Sequence, residues 1–335
     1  MYNLHIMKGC DYMSTIKDVA KKAHVSVATV SRVINQKGYV NEETKKMVLQ
    51  AIDELNYVPN ELARSLFQKK SHIIAVVVPH LTSYFFSELL DVLEDETINV
   101  NYRLMVCNSK DDPNKESKYL KIFEQYNVDG LILISNTNRI DDYMKLNIPI
   151  IEIDHCLNKD IPSITSNNYL GGVLAARKLV DTGCKKILHF RGPSDLMTVR
   201  DRTAGFQSVL KEKKIYNFSY DLDFLDPNPE DIENVVFSNL DADGIFCDSD
   251  IIAMLVVQSL EKAKKKVPDD VQVIGFDNIK LSRILEPKIT TIAQSTTTIA
   301  KTAIESIMKL INKEPLDNFN QNINVELIER DTTKK

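Results

Sequence analysis

The segment that decides how the N-terminal part of this chain folds is HVSVATVSRVINQ, residues 24–36. If it forms a helix, Val30, Val33 and Ile34 lie on one side and can fill a small core. The opposite stripe is almost uncharged but carries one arginine, Arg32. A single arginine on such a face raises the question of what the helix contacts.

Residues on either side of this segment predict two further short helices around the same core. Thr15 and Asp18 have the spacing of a capping box, and the first helix follows directly. Ser26 is expected to cap the quoted helix, and Asn41 a third helix that ends near Asn56. Three short helices around one core, with a tight turn before the second, describe a helix-turn-helix.

The helix-turn-helix geometry accounts for the arginine stripe. The second helix of this motif lies in the major groove of DNA, and its N-terminal residues contact base edges. Arg32 can donate two parallel hydrogen bonds to guanine, while Val27 and Ala28 can contact thymine methyl groups. Ser31 and Asn35 can hold phosphates, which positions the helix without distinguishing base sequences. The alternative is a small amphipathic bundle in which Arg32 is merely solvated.

The longer run from Thr15 to Leu66 resembles the DNA-binding headpiece of transcriptional regulators of the LacI/GalR family. The resemblance rests on TIKDVAKKAHVSVATVSRVIN, GYVNEETKKMV and YVPNELARSL, and it continues to the C-terminus. It implies that the last of these stretches is a hinge helix, which folds on DNA as a pair. In the family a leucine of this helix, here Leu66 beside Ala63, wedges into the minor groove. One departure is His24, because the family often has glycine in this turn, but histidine tolerates left-handed backbone.

The groove geometry and the resemblance together give a set of residues expected to contact operator DNA. The predicted DNA-binding residues are Thr15, Ser26, Val27, Ala28, Thr29, Ser31, Arg32, Asn35, Asn60, Ala63, Arg64 and Leu66. Residues 14–70 contain ten Lys/Arg and six Asp/Glu, a net charge of +4, whereas residues 71–335 carry −9. A basic N-terminal module on an acidic body favours nucleic acid as the partner of that module.

From residue 72 onward, apolar runs alternate with amphipathic segments. The runs form two series: HIIAVVVP (72–79), YRLMVCNS (102–109), VDGLILIS (128–135) and IPIIEID (148–154), then KKILHFRG (185–192), ADGIFCDS (242–249) and VQVIGFD (271–277). Near-continuous apolar strands separated by helices are typical of parallel sheets covered on both faces. The expected fold class is therefore α/β, with a two-lobed, doubly wound parallel-sheet domain behind the all-α headpiece. The family resemblance implies the same domain, similar to type I periplasmic binding proteins.

These features predict how the chain divides into domains. The headpiece is expected to lie between a disordered extension and a hinge, and each lobe is expected to be built from two separate stretches. The predicted ranges are 1–13 for the extension, 14–58 for the headpiece, 59–71 for the hinge helix and linker, 72–166 and 296–322 for the N-terminal lobe, and 167–295 and 323–331 for the C-terminal lobe.

Polar and aromatic residues follow the predicted strands at the edge where their carboxyl ends meet, which is where ligands bind in such sheets. Aromatic rings stack on the apolar faces of a sugar, and bidentate charged groups hold neighbouring hydroxyls, so the cleft is predicted to bind a sugar. The resemblance implies that Arg202, in DRTAGF, and Asp277, in GFDN, anchor it. The predicted effector-binding residues are Ser83, Phe85, Phe86, Asp154, Thr198, Arg202, Phe224, Ser249, Asp250, Asp277 and Gln294.

Some of these residues also have structural interpretations. Asp277 could cap the segment that follows it, and Arg202 could form a salt bridge between the lobes. Phe85 and Phe86 could belong to the core. Many relatives have asparagine before aspartate where this chain has Ser249-Asp250, so the polar contact at that position is open.

The stretches GYVNEET, NELARSL and RGPSDLMTVRDR are most similar to ribose-operon repressors of low-GC Gram-positive bacteria. That similarity implies a sugar effector such as ribose, while sucrose, another sugar or a phosphosugar remain open. Catabolite-control relatives instead bind a phosphorylated carrier protein, so a phosphocarrier partner also remains open. A homodimer on palindromic DNA is expected, because a two-fold protein matches a two-fold site.

Other classes of protein fit the sequence poorly. It contains no GxSxG, GxGxxG, GxxxxGK[ST] or HExxH, so no enzyme activity, cofactor or metal site is predicted. No apolar run approaches the roughly 20 residues that cross a bilayer, so no membrane partner is predicted. The N-terminus lacks the pattern of a signal peptide, which argues against a transport binding protein. The five scattered cysteines, without CxxC, fit a reducing cytoplasm, where the protein is expected to associate with the nucleoid.

Overall fold

The structure, a computed structural model of the chain, describes residues 14–35, 38–58, 70–134, 140–223 and 227–335. The chain divides into two units, Met1–Ser71 and His72–Lys335. The predicted disordered extension (1–13) and most of the predicted hinge segment (59–69) lie outside the described residues.

The first unit contains the expected small helical core. Val30 and Val33 of the second helix are buried together with Val19 of the first and Val48 of the third. Val30 and Val33 have helical spacing, so they give α2 one apolar face. Packing of the apolar faces of the three helices against one another stabilises helices that are too short to persist alone. The helices are α1 (Ile16–Lys22), α2 (Val27–Asn35) and α3 (Glu42–Glu54).

The helix caps predicted from the sequence are confirmed. Thr15 and Asp18 form the capping box, in which each side chain accepts a hydrogen bond from the backbone N–H of the other residue. Ser26 and Asn41 accept hydrogen bonds from the backbone N–H groups three residues further on, at 3.1 and 2.7 Å. His24 adopts a φ of +51°, so it provides the left-handed turn between α1 and α2.

The second unit contains two six-stranded sheets, each flanked by helices. The strands are β1 (Ile73–Val78), β2 (Arg103–Asn108), β3 (Gly130–Leu133), β4 (Ile150–Ile153), β5 (Ser163–Ser166), β6 (Lys186–Arg191), β7 (Tyr216–Asp221), β8 (Gly244–Cys247), β9 (Gln272–Asp277), β10 (Thr290–Ala293), β11 (Asn320–Ile323) and β12 (Glu326–Ile328). The helices are α4 (Tyr84–Asn99), α5 (Pro113–Tyr126), α6 (Ile140–Met144), α7 (Asn168–Asp181), α8 (Met197–Lys213), α9 (Pro229–Phe237), α10 (Asp250–Lys262) and α11 (Thr296–Ile311), with a 3₁₀ turn at Lys280–Arg283.

The order of strands is doubly wound in both lobes, which confirms the predicted fold class. The first sheet has the order β11-β5-β4-β3-β1-β2 and its pairs are parallel. The second has the order β12-β10-β9-β8-β6-β7, in which β12 alone among these strands runs antiparallel to its neighbour. The chain passes between the sheets after β5, after β10 and after β11, so each lobe is built from separated stretches.

Strand β1 shows why the central strands are apolar throughout. Ile74, Val76 and Val78 pack on one face of the sheet, in a cluster with α4 and α11. Ala75 and Val77 pack on the other face, in a cluster with α5. Because successive side chains of a strand point to opposite faces, a strand covered on both faces cannot alternate between apolar and polar residues.

The sequence predicted seven of the strands but missed β5, β7, β10, β11 and β12. Strands β7, β11 and β12 lie at sheet edges, where partly exposed side chains interrupt the apolar pattern. Strand β10 is buried but polar: Thr290 and Thr291 have no exposed surface and satisfy their hydroxyls with hydrogen bonds. In the part of the chain that the structure describes, no helix is both long enough and apolar enough to span a membrane.

Candidate functional site

The outward face of α2 carries the residues expected to enter a DNA groove. Val27 is 41% exposed, and Ala28 and Arg32 also face solvent, whereas Val30 and Val33 are buried. The division agrees with the amphipathic pattern of the sequence. The outward face is therefore available to a partner while the inward face holds the headpiece together.

Several of the predicted DNA-binding side chains form hydrogen bonds within the headpiece. The Asn35 amide nitrogen donates to the Ser31 carbonyl oxygen at 2.9 Å and to its Oγ at 3.1 Å. The Thr15 hydroxyl donates to the aspartate of its capping box at 2.6 Å, and Ser26 and Thr29 share a hydrogen bond between hydroxyls. These groups have to exchange or share their bonds in order to contact phosphate. Their DNA contacts stay predictions, as does the contact of Arg32.

Five predicted site residues lie outside the described part of the chain. They are Asn60, Ala63, Arg64 and Leu66 of the hinge segment and Phe224 of the effector site.

The second unit contains a cavity of about 100 Å³ between the two lobes. It gathers nine of the eleven predicted effector-binding residues: Ser83, Phe85, Phe86, Asp154, Thr198, Arg202, Ser249, Asp277 and Gln294. It is also lined by residues absent from the sequence-based set, namely Thr82, Tyr84, Asp248, Ile251 and Ile279.

Both lobes supply the lining from the carboxyl ends of their strands. In the first lobe, the segment after β1 brings Ser83, which caps α4, and Asp154 follows β4 directly. In the second lobe, Asp277 ends β9, Ser249 follows β8 and caps α10, and Gln294 follows β10. Parallel strands deliver their carboxyl ends to one edge of the sheet, which is why residues far apart in sequence meet here.

Arg202 is 95% buried, and its guanidinium forms two hydrogen bonds within the protein. Its Nε donates to Asn168 Oδ1 and its Nη1 to the Asp248 carbonyl oxygen, each at 2.7 Å. The central guanidinium carbon, Cζ, lies 3.7 Å from the ring centroid of Phe276, which is a cation–π contact. These two bonds account for two of the five N–H donors of a guanidinium, so the group keeps donors for a ligand.

Close packing of α7 on α8 determines where Arg202 sits. A Cβ on Gly172 would lie 2.0 Å from the Arg202 carbonyl oxygen, and a Cβ on Gly205 would lie 2.0 Å from the Tyr169 carbonyl oxygen. Only glycine permits the two backbones to approach so closely. Gly172 and Gly205 therefore set the distance between α7 and α8, the helix that carries Arg202.

Two carboxylates face the arginine from opposite lobes. Burial raises the pKa of Asp154, and the nearby Arg202 and His155 partly offset the increase. Burial raises the pKa of Asp277 well above its ordinary value; Arg202 lowers it and the charge of Asp250 raises it further. The Gln294 amide donates to Asp277 Oδ1 at 2.7 Å. The cleft thus combines one guanidinium with carboxyl groups that release their protons reluctantly.

The structure places Asp250 behind the cleft wall and not among the lining residues, so the geometry does not support its predicted contact with an effector. Its Oδ1 accepts from the Thr291 hydroxyl at 2.5 Å, and its Oδ2 accepts from the Ile279 backbone N–H at 2.9 Å. The carboxylate lies over Gly275, whose Cβ would come within 2.3 Å of it. Asp250 begins α10 with its side chain turned toward the sheet, an orientation that spacing in the sequence does not reveal.

Asp248, two residues earlier, lines the cleft in its place. Its Oδ1 pairs with His189 Nε2 at 2.9 Å, and its Oδ2 accepts from the Gly192 backbone N–H at 3.1 Å. The sequence shows both candidates in the run Asp248-Ser249-Asp250, and the helix that starts at Asp250 turns its side chain away from the direction of Asp248. Which aspartate faces the ligand depends on the start of the helix.

The structure also bears on the alternative interpretations. Asp277 bonds to Gln294, and the following 3₁₀ turn is capped by Ile279, so Asp277 does not cap it. The hydrogen bonds of Arg202 go to Asn168 and Asp248 of its own lobe. Phe85 and Phe86 belong to the apolar core and also line the cleft, so the two interpretations are compatible for these rings.

An outward helix-turn-helix face on one unit and a ligand-sized polar cleft in another define a DNA-binding regulator with an effector domain. Residues 15–60 match the family of bacterial regulatory proteins known as the lacI family, and residues 176–333 match the periplasmic binding protein-like domain. The ribose operon repressor of Halalkalibacterium halodurans is 39% identical over 323 residues, or 96% of this chain and 98% of that protein. The chain belongs to the lacI family of bacterial regulatory proteins.

Two solved structures agree with this assignment. A periplasmic binding protein/LacI transcriptional regulator from Alkaliphilus metalliredigens, complexed with D-xylulofuranose, is 33% identical with a TM-score of 0.73, covering 79% of this chain and all of that one. The lac repressor dimer bound to operator and an anti-inducer is 24% identical with a TM-score of 0.86, covering 96% of this chain and 99% of that one. The second likeness shows that the fold is shared along almost the whole chain.

Proposed function

We propose that this chain is a transcriptional repressor that binds palindromic operator DNA as a homodimer in the cytoplasm. Its effector is a small sugar, ribose or a related pentose, bound between the two lobes. The observation that carries the proposal is the cleft in which Arg202, Asp154 and Asp277 converge with Phe85 and Phe86. The named relatives supply the further support, since one is a ribose operon repressor and another holds a five-carbon sugar.

The chemistry of the cleft suits a neutral sugar. Carboxylates accept hydrogen bonds from hydroxyls, the guanidinium donates to hydroxyl or ring oxygens, and aromatic rings cover the apolar face of the sugar ring. A phosphocarrier partner stays a prediction.

The proposed mechanism links the cleft to the headpiece by a change in the angle between the lobes. A sugar that contacts both lobes favours one angle, and the hinge segments of the two protomers then move apart. Operator affinity falls because the two headpieces no longer match the two half-sites of the operator. Sugar as an inducer is the preferred sign, although the same linkage operates equally well with a corepressor.

A thermal-shift screen tests the effector first. Purified protein is heated with D-ribose, other pentoses, sucrose, common hexoses and the corresponding phosphates, since a ligand that binds the folded state raises the unfolding midpoint. A shift with a pentose, followed by release of operator DNA on adding that pentose, supports the proposal. A shift with sugar phosphates alone, or none across the panel, would contradict it.

A further inference from the structure

The segment that carries Asp277 into the cleft has an unusual backbone. Asp277 adopts a φ of +104° and Asn278 a φ of +59°, so two successive residues with side chains are left-handed. Such backbone costs free energy and persists where surrounding contacts hold it. The contacts that hold this segment are therefore part of what points Asp277 at a ligand.

Arg330 supplies the most direct of these contacts. It follows β12, the strand that runs antiparallel to β10, and it does not line the cleft. Its Nη2 donates to Asn278 Oδ1 at 2.5 Å, and its Nη1 donates to Ser282 Oγ at 3.1 Å and to the Ile289 carbonyl oxygen at 2.7 Å. One planar guanidinium thus ties both ends of the turn after β9 to the segment before β10.

A second set of contacts holds the backbone of the same turn. The Asn278 N–H donates to Thr291 Oγ1 at 3.3 Å, and that hydroxyl donates to Asp250 Oδ1. Asp250 Oδ2 accepts from the Ile279 N–H. Buried groups that would be costly to leave unpaired therefore depend on the position of the turn.

The same turn reaches the other lobe. Ile279 is 98% buried in the apolar cluster that contains Phe85, Phe86 and Leu89 of the first lobe. The Lys280 N–H donates to Glu88 Oε1 at 2.7 Å, and Glu88 lies on α4 of that lobe. Residues 277–280 thus connect the cleft carboxylate with contacts across the interlobe boundary.

We propose that Arg330 is a positioning residue of the effector site. By fixing Asn278 and Ser282 it keeps Asp277 directed at the ligand and keeps Ile279 and Lys280 against the other lobe. Sugar binding and lobe closure are then coupled through a residue that touches neither the sugar nor the other lobe. The sugar part of this inference rests on the proposed function.

Hydrogen exchange of the sugar-free protein tests the positioning role without reference to any ligand. Arg330→Met removes the donors but keeps an unbranched apolar side chain at the position. Lys178→Met is the matched control, because Lys178 pairs at 2.7 Å with Glu329, the residue before Arg330, and does not contact the turn. We expect the amides of residues 278–282 to exchange at least about tenfold faster in Arg330→Met, since tenfold corresponds to one net hydrogen bond and the variant loses three. They should be unchanged in Lys178→Met. No change in Arg330→Met, or an equal change in both variants, overturns the inference.

Titration of each variant with D-ribose then separates positioning from general stability. We expect the Kd for D-ribose to rise about tenfold in Arg330→Met and to stay unchanged in Lys178→Met. Asn278→Gly, which tolerates the left-handed backbone, should also raise the Kd, and the two changes together should raise it by less than the product of their separate effects. Additive effects would show that Arg330 does not act through Asn278.

The role of Arg330 can still be decided if the variant does not fold or if D-ribose does not bind. If Arg330→Met does not fold, Arg330→Lys carries the same measurements, since it keeps the charge but cannot reach three acceptors on different segments. If the unmutated protein does not bind D-ribose, the proposed effector fails, while the exchange rates of residues 278–282 still decide the role of Arg330.

Discussion

At the scale of one residue, Arg202 is a buried charge that the fold holds in a single orientation. Two of its donors are spent on Asn168 and the backbone of Asp248, and its flat face rests on Phe276. Those bonds fix the guanidinium in one orientation before any ligand arrives. A preorganised group loses little conformational freedom on binding, which strengthens the complex.

Replacement of Arg202 by alanine should abolish the response to sugar. We expect D-ribose binding to weaken by about 2–5 kcal/mol, because the cleft carboxylates lose their buried charge partner. Operator binding without sugar should persist, so that repression becomes constitutive. Arg200→Ala, an exposed arginine on the same helix, is the control and should retain induction. Normal induction of Arg202→Ala in an operator-release assay would move the sugar site elsewhere.

Replacement of Arg32 by alanine should weaken specific operator binding by about 1–3 kcal/mol and relax the preference at one base pair. The reason is the loss of a bidentate contact to a guanine edge. Lys45→Ala, on the exposed side of α3, should affect all sequences alike and to a smaller extent. Binding to a set of operators with single substitutions measures both effects. Unchanged specificity in Arg32→Ala would count against a position in the major groove.

Asp250 should make the protein less stable as the pH rises. Its ordinary pKa is 3.8, and burial raises it to about 7 in the folded protein. Between these values the folded state binds the proton that the unfolded state releases, so the free energy of unfolding falls with increasing pH. Asp154 and Asp277 contribute with the same sign because their pKa values are also raised.

The Asp250→Asn variant should therefore show a flatter dependence of stability on pH between about 4 and 7. Urea unfolding at several pH values measures the slope. Asp269→Asn, at an exposed site, should keep the slope of the unmutated protein. An unchanged slope in Asp250→Asn would show that another group titrates in this range.

At the scale of elements, local patterns and long-range packing determine different features. Caps such as Thr15 and Asn41 act on backbone groups three residues away, so they can be identified from the sequence. The contact between α7 and α8 depends on Gly172 and Gly205, which lie 33 positions apart and have no local signal. The orientation of Arg202 is thus decided between elements.

Replacement of Gly172 by alanine should push α7 and α8 apart and destabilise the protein by about 1–3 kcal/mol. The added Cβ would lie 2.0 Å from the Arg202 carbonyl oxygen and 2.7 Å from the Phe206 nitrogen, both of them backbone atoms. Sugar affinity should fall as well, since Arg202 moves with its helix. Gly183→Ala is the control: its φ of +95° makes alanine costly, but nothing lies within 4 Å of the new Cβ. Equal sugar affinities in the two variants would contradict the displacement.

At the scale of the whole molecule, the division after Ser71 separates recognition of DNA from recognition of the effector. All described residues of the effector cleft belong to the second unit. Linkage requires that operator DNA change the sugar affinity by the same factor by which sugar changes the operator affinity.

A fragment of residues 72–335 should bind D-ribose with a Kd within about threefold of the full-length value, a difference below 1 kcal/mol. The same fragment should not bind the operator. Calorimetry with sugar and anisotropy with labelled operator test the two statements. A fragment that folds but has lost sugar binding would place part of the effector site in the headpiece, and retained operator binding would contradict the assigned role of the headpiece.

The sequence by itself determined the helical headpiece, its caps, the left-handed turn at His24 and the central strands of both lobes. These features arise from interactions between near neighbours or from burial on both faces of a sheet, which leave regular patterns in the sequence. It also predicted that Arg202 and Asp277 belong to one cleft, through the rule that ligands meet the carboxyl ends of strands.

The tertiary structure alone decided which groups complete that cleft. It turned Asp248 rather than Asp250 toward the cavity, and it brought Arg330 from the C-terminal end against Asn278. It also supplied polar strands such as β10, whose threonine hydroxyls are satisfied by distant partners. The direction of a side chain at the junction of a strand and a helix, and the meeting of residues 52 positions apart, depend on packing between elements, which no local pattern encodes.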